Sequence, residues 1–122
     1  MTHKIILKGE PKSTQHAYKA TCKRGYPTLY MERDSIMQKE YYAWQAHAQW
    51  KHGVLDVPMI VHATFFFKTN RKQDLDNHNK LWIDSLTGIV WADDSLIHEL
   101  HLYKDFDKQE PRIEVTIAQK TA

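Results

Sequence analysis

Apolar and polar positions follow different periods along this chain, and each period predicts a different element. Ile5, Ile6 and Leu7, set between Lys4 and Lys8, read as a short strand. Gly9 to Pro27 has no period; Pro11, Ser13, Thr14, Gly25 and Pro27 mark it as a long polar loop, with a short strand expected at 28–31. From Arg33 or Asp34 the period becomes helical. Met37, Tyr41, Trp44 and Ala48 recur at spacings of four, three and four, and the helix should run to about His52 with Gly53 as its stop. Tyr42, Ala46 and Trp50 make this helix apolar on more than one side, which reads as burial within its own domain. Met59 to Lys68 is dense in β-branched and aromatic residues and is the clearest strand.

A second helix is predicted from about Asn77 to Thr87, capped by Asp76 or Asn77 and closed by Gly88. At 100° per residue it puts Asn79, Trp82, Ile83 and Leu86 on one face and Asn77, Lys80 and Asp84 on the other. Ile89 to Trp91 is a short apolar run and Asp93-Asp94-Ser95 a turn. Leu96–Tyr103 and Arg112–Ala118 read as two strands, expected to form a hairpin through the polar loop 104–111. The order β–loop–(β)–α–β–α–β–β predicts an α+β fold, a single domain over residues 1–122 with a small mixed sheet and two main helices.

Composition narrows the class only a little further. A chain of 122 residues with 42% apolar content can bury one core, and it has no apolar run long enough for a membrane span. The start, Met1-Thr2-His3-Lys4, leads into a strand rather than a signal peptide, so a cytoplasmic location is expected. A lone Cys22 permits neither an internal disulfide nor a cysteine zinc site. The net charge of +2 is small, but its distribution is informative. Lys4, Lys8, Lys12, Lys19, Lys23, Arg24 and Arg33 face only Glu10 and Glu32 in the first 33 residues, and Lys68, Arg71 and Lys72 precede an acidic segment. Basic flanks around an acidic centre suit a polyanionic substrate brought to a bound cation.

That centre is Asp74-Leu75-Asp76-Asn77-His78-Asn79-Lys80, followed by Trp91-Ala92-Asp93-Asp94. Clustered carboxylates repel one another, and a hard divalent ion relieves the repulsion while leaving room for water and phosphate oxygens. Asp74 and Asp76 share a side if the backbone is extended, and one of Asp93 and Asp94 can return to face them if the two strands adjoin. Helix capping accounts for one of these acids but not for Asp74 together with a second pair beyond the helix. Lys80 reads equally well as a phosphate-side ammonium and as the i,i+4 partner of Asp84.

Taken together, Arg71-Lys72-Gln73-Asp74-Leu75-Asp76-Asn77-x-x-Lys80 and Asp84-x-Leu86-x-Gly88-x-x-Trp91-x-Asp93-Asp94-Ser95-x-Ile97 resemble the RusA family of Holliday-junction resolvases of bacteria and their prophages. The likeness covers about residues 60–118, with a weaker match at Gly9-x-Pro11-x-Ser13. It implies a Mg²⁺-dependent endonuclease, with Mn²⁺ able to substitute, that works as a homodimer and nicks two strands of a four-way DNA junction symmetrically. It further implies that Asp74, Asp76 and Asp94 hold metal, that Lys80 is the essential lysine, and that Asp93 is a supporting acid. Gln73 departs from the pattern, where an arginine occurs in the family. Lys12, Lys19, Lys23, Arg24, Arg71 and Lys72 are then candidates for phosphate contacts, and Tyr18 and Tyr26 for base stacking.

Two rival readings remain, and two further metal readings are weaker. A non-catalytic DNA-binding protein would keep the acids for capping, and a nuclease could act on flap or duplex DNA instead of junctions. Zinc is disfavoured, because His98 and His101 would point to opposite faces of a strand. Asn77-His78-Asn79 lacks the spaced histidines of an HNH nuclease.

Overall fold

The computed structural model describes residues 2–11, 18–23, 26–31, 33–70 and 75–120. Six strands and two helices follow in the order β1 (Thr2–Lys8), β2 (Tyr18–Lys23), β3 (Tyr26–Met31), α1 (Arg33–Gln49), β4 (Met59–Phe67), α2 (Lys80–Leu86), β5 (Ile97–Phe106) and β6 (Arg112–Gln119). Short 3₁₀ turns at Leu75–His78 and Asp94–Leu96 precede α2 and β5. The main sheet has the order β1-β6-β4-β5, antiparallel except for the parallel β4–β5 pair, so the fold is α+β with a mixed sheet. No helix among the described residues is long and apolar enough to cross a membrane.

Alternation sets the layers. Met59, Val61, Ala63, Phe65 and Phe67 of β4 and Ile113, Val115 and Ile117 of β6 are buried on one face, with Ile5 and Leu7 of β1 beside them. Trp82, Leu86, Val90 and Trp91 cover that face from the α2 side, and Tyr42, Ala46 and Trp50 cover it from α1. Each fully buried aromatic removes a large apolar area from water, about 25 cal/mol per Å².

Four expectations are corrected. The region 9–27 is not all loop: Tyr18–Lys23 and Tyr26–Met31 form an antiparallel two-stranded ribbon, where Thr21 and Cys22 supply β-compatible positions among the turn formers. The last two strands are not a hairpin. β6 lies between β1 and β4, and β5 occupies the far edge, because β6 carries an unbroken buried alternation while β5 is exposed at most positions. The second helix starts at Lys80, since residues 75–78 wind as a 3₁₀ turn.

The fourth correction concerns α1. Met37, Tyr41, Trp44 and Ala48 form its outward stripe, and Trp44 is 69% exposed. The inward face is Ser35, Tyr42, Gln45, Ala46 and Trp50. The cause is hydrogen bonding, because α1 lies along the edge of β1, where unpaired peptide groups need polar partners. Gln49 Oε1 accepts from the Ile6 N–H (2.8 Å) and Gln49 Nε2 donates to the Ile6 carbonyl (2.7 Å). Gln45 repeats this exchange with Lys8 at 2.7 and 3.1 Å, and Gln38 Nε2 donates to the Glu10 carbonyl at 2.8 Å. Three glutamines thus act as a surrogate strand along β1.

Candidate active site

The acidic segment is delivered by β4 and anchored behind it. After Phe67 the chain passes through exposed Lys68, Thr69 and Asn70. Arg71, Lys72, Gln73 and Asp74 lie outside the described residues, as do Lys12 and Arg24. The chain re-enters at the Leu75–His78 turn, which carries the Asp76 and Asn77 backbone. His78 fixes this turn: its ring is buried edge-on to Phe67 (5.2 Å between centroids) and Phe65 (6.2 Å). Asn79 then ties the turn to the helix, donating from Nδ2 to the Leu75 carbonyl (3.0 Å) and accepting at Oδ1 from Trp82 Nε1 (3.2 Å). The i,i+3 spacing of Asn79 and Trp82 on one helical face carried that signal in the sequence. The burial of His78 left none, since no apolar period includes it.

Lys80 opens α2 with its side chain in solvent, and its Nζ donates to Asp84 Oδ2 at 3.2 Å. Exposed pairs of this kind contribute little stability, so the pair's main effect is to orient the ammonium. The helix then runs back along the sheet. Trp82 packs edge-on between Phe65 and Trp91, with both centroids at 6.4 Å. Gly88 (φ 91°) turns the chain, Thr87 Oγ1 accepts from Trp91 Nε1 (3.0 Å), and the Leu55 backbone clasps the returning strand through Val90 and Ala92.

This clasp presents Asp93 and Asp94 as exposed acids just before β5. The Ser95 hydroxyl donates to Asp93 Oδ2 at 2.7 Å and, with smaller help from Asp94 and backbone donors, holds the Asp93 carboxyl below the usual carboxylate range. Asp93 is thereby engaged locally. Asp94 starts the 3₁₀ turn with its carboxylate in solvent.

Because β4 and β5 are parallel neighbours, Ile97 stands opposite Met59 and Phe106 opposite Phe67. Asp94 therefore belongs to the Met59 end of the sheet, and the Asp76 turn to the Phe67 end. The nine residues of β4 separate them by roughly 25 Å at about 3.3 Å per residue. The strands do adjoin, but their direction carries Asp94 away from the Asp76 turn of its own chain. Among the described residues no group of three or more His, Cys, Asp or Glu is placed to hold a metal ion. The donors available are carboxylate oxygens, which suit a hard cation such as Mg²⁺ or Mn²⁺.

The remaining candidates are placed by their strands. Lys19 stands opposite Tyr30 and Lys23 opposite Tyr26 in the β2–β3 ribbon, with Tyr18 opposite Met31. His101 stacks on His62 (4.4 Å, 11°), and His62 Nδ1 lies 3.2 Å from Tyr103 Oη; these three rings line the sheet face turned away from the helices. His98 is exposed.

The sequence model of one protein family, described as Endodeoxyribonuclease RusA, matches residues 8–118. No curated protein matches the chain.

Proposed function

This chain belongs to the RusA family of endodeoxyribonucleases, and on that footing we propose that it is a single nuclease domain that resolves four-way DNA junctions by symmetric nicking, as a cytoplasmic homodimer. The observation that carries the reading is the span of the family match, 8–118, which encloses the Asp76 turn, Lys80 and the Asp93-Asp94 pair. Asp74, Asp76 and Asp94 would hold Mg²⁺ or Mn²⁺, with Asp93 in support. When bound, the metal supplies an activated water and neutralises charge developing on the phosphate.

The chain's own groups do the rest. Asp84 orients the Lys80 ammonium, which meets a phosphate as a point charge beside the Asp76 turn. His78 and Asn79 anchor the turn that carries the Asp76 backbone. Lys12, Lys19, Lys23, Arg24, Arg71 and Lys72 would contact the DNA backbone, giving affinity without sequence choice. Since β4 keeps Asp94 and Asp76 of one chain apart, a complete acid set is assembled from two protomers.

A labelled four-way junction with Mg²⁺ tests the reading, with duplex and flap DNA alongside. Wild type should cut the junction. Asp76→Asn should lose cutting about a hundredfold or more, the consequence of removing several kcal/mol of transition-state charge stabilisation, while binding the junction as well or better. Lys80→Ala should lower cleavage far more than binding. Full activity in Asp76→Asn would remove the metal assignment, and binding without cleavage by wild type would favour a non-catalytic DNA-binding protein.

A further inference from the structure

The strand period keeps His98 and His101 on opposite faces of β5, but the sheet gives His101 a different neighbour. In the parallel β4–β5 pair His62 stands directly opposite His101, and Glu99 lies two residues before His101 on the same strand. All three side chains therefore project from the face opposite Met59, Val61 and Ala63, the buried side of β4. Glu99 Oε1 lies 3.5 Å from His101 Nε2, which is long for a hydrogen bond. It is close to the roughly 3.3 Å that separates two donors on one tetrahedral ion with bonds of about 2.0–2.1 Å. The His62 and His101 rings are 4.4 Å apart. Two further groups steady the donors. His62 Nδ1 lies 3.2 Å from Tyr103 Oη, and in the tautomer that donates there Nε2 keeps a free lone pair. Lys120 Nζ lies 3.7 Å from Glu99 Oε2, with Oε1 the oxygen nearer His101.

We propose that His62, His101 and Glu99 form a second metal site, for a transition ion of the Zn²⁺ class, bridging β4 to the edge strand β5. It takes none of the acids assigned to the nuclease and does not rest on that reading. Donor type sets its preference. Imidazole nitrogens favour Zn²⁺, Ni²⁺ and Cu²⁺, whereas an all-oxygen acid set favours Mg²⁺ or Mn²⁺. With the two rings parallel (11°) the three donors do not converge, so the site closes only as the rings tilt toward each other. The room for that movement exists, since the His101 and Glu99 side chains are 45% and 42% exposed. One ring stack is lost and three metal–ligand bonds are gained, with the fourth position left to water. The rings of His3 and His52 lie closer still, at 3.9 Å, but their third neighbour is the Trp50 ring, whose indole has no lone pair to give.

Calorimetric titration of the full chain with Zn²⁺, in excess Mg²⁺ to occupy the carboxylate set, tests the site. Wild type should bind Zn²⁺, and His62→Ala and His101→Ala should each weaken that binding about tenfold or more. Glu99→Gln should weaken it as well, since an amide oxygen is a poorer donor than a carboxylate. His52→Ala should leave it unchanged. Co²⁺ in place of Zn²⁺ should give wild type a visible absorption band that His62→Ala and His101→Ala both lack. A wild type that binds no Zn²⁺ overturns the proposal. So does binding that survives the loss of both His62 and His101, or that disappears in His52→Ala instead. Should a variant fail to fold, modification of wild type with diethyl pyrocarbonate, read by mass spectrometry, decides. Zn²⁺ should protect His62 and His101 while His98 stays reactive. Equal protection of all three, or none, overturns the site.

Discussion

Glu114 illustrates how single side chains settle the acid limb of stability. Its carboxylate accepts from Lys4 Nζ (2.6 Å) and Arg112 Nε (2.7 Å), and the Lys4 hydrogen bond, followed by that of Arg112, holds its pKa below the ordinary 4.5. Asp107 is lowered the same way, first by Arg112, whose guanidinium also lies 3.9 Å over the Phe66 ring. A depressed carboxylate stabilises the fold fully above its unfolded pKa and loses that contribution as pH falls through the folded value. The melting temperature should therefore decline on acidification below about pH 4.5, and Glu114→Gln should flatten that decline. Melting curves of the two proteins across that range check the sign. At this scale the sequence is sparing: Lys80 and Asp84 announce their ion pair by spacing, whereas Lys4 and Glu114 meet only because β1 lies against β6.

At the scale of elements, α1 shows where reading by hydrophobicity fails. A stripe at helical spacing normally marks the buried face, but here the face that packs is the one bearing Gln38, Gln45 and Gln49, because its neighbour is a strand edge. Gln45→Ala should cost about 1–3 kcal/mol, since it strips both partners from a part-buried peptide. Gln49→Ala should cost less, as water can replace its exposed bonds. Chemical denaturation of the two variants would establish that order. The type of β4, α1, α2, β5 and β6 was legible, each from its own period or stop signal. Strand neighbours were not, because the polar loop before Arg112 fits a hairpin as well as it fits the observed crossing over β4. The candidate site divided likewise. The acids and Lys80 stand out in the sequence by type and spacing, while the end of the sheet to which each belongs depends on β4 and β5 running parallel.

For the whole molecule, the proposed sharing of the acid set between protomers would tie activity to assembly. Junction cleavage per milligram should fall on dilution below the dimer dissociation constant and recover on concentration, which a dilution series at fixed DNA would reveal. The pairing of β1 with β6 carries a different consequence. β1, which precedes the other described strands along the chain, has as its ladder partner the segment Arg112–Gln119, and β4 also completes its pairing there. Until that segment leaves the ribosome, β1 with Ile5 and Leu7 has no strand to pair with, and β4 has only β5 beside it. Completion of the main sheet thus waits for β6, and a ribosome that stalls before β6 releases a chain without a completed sheet.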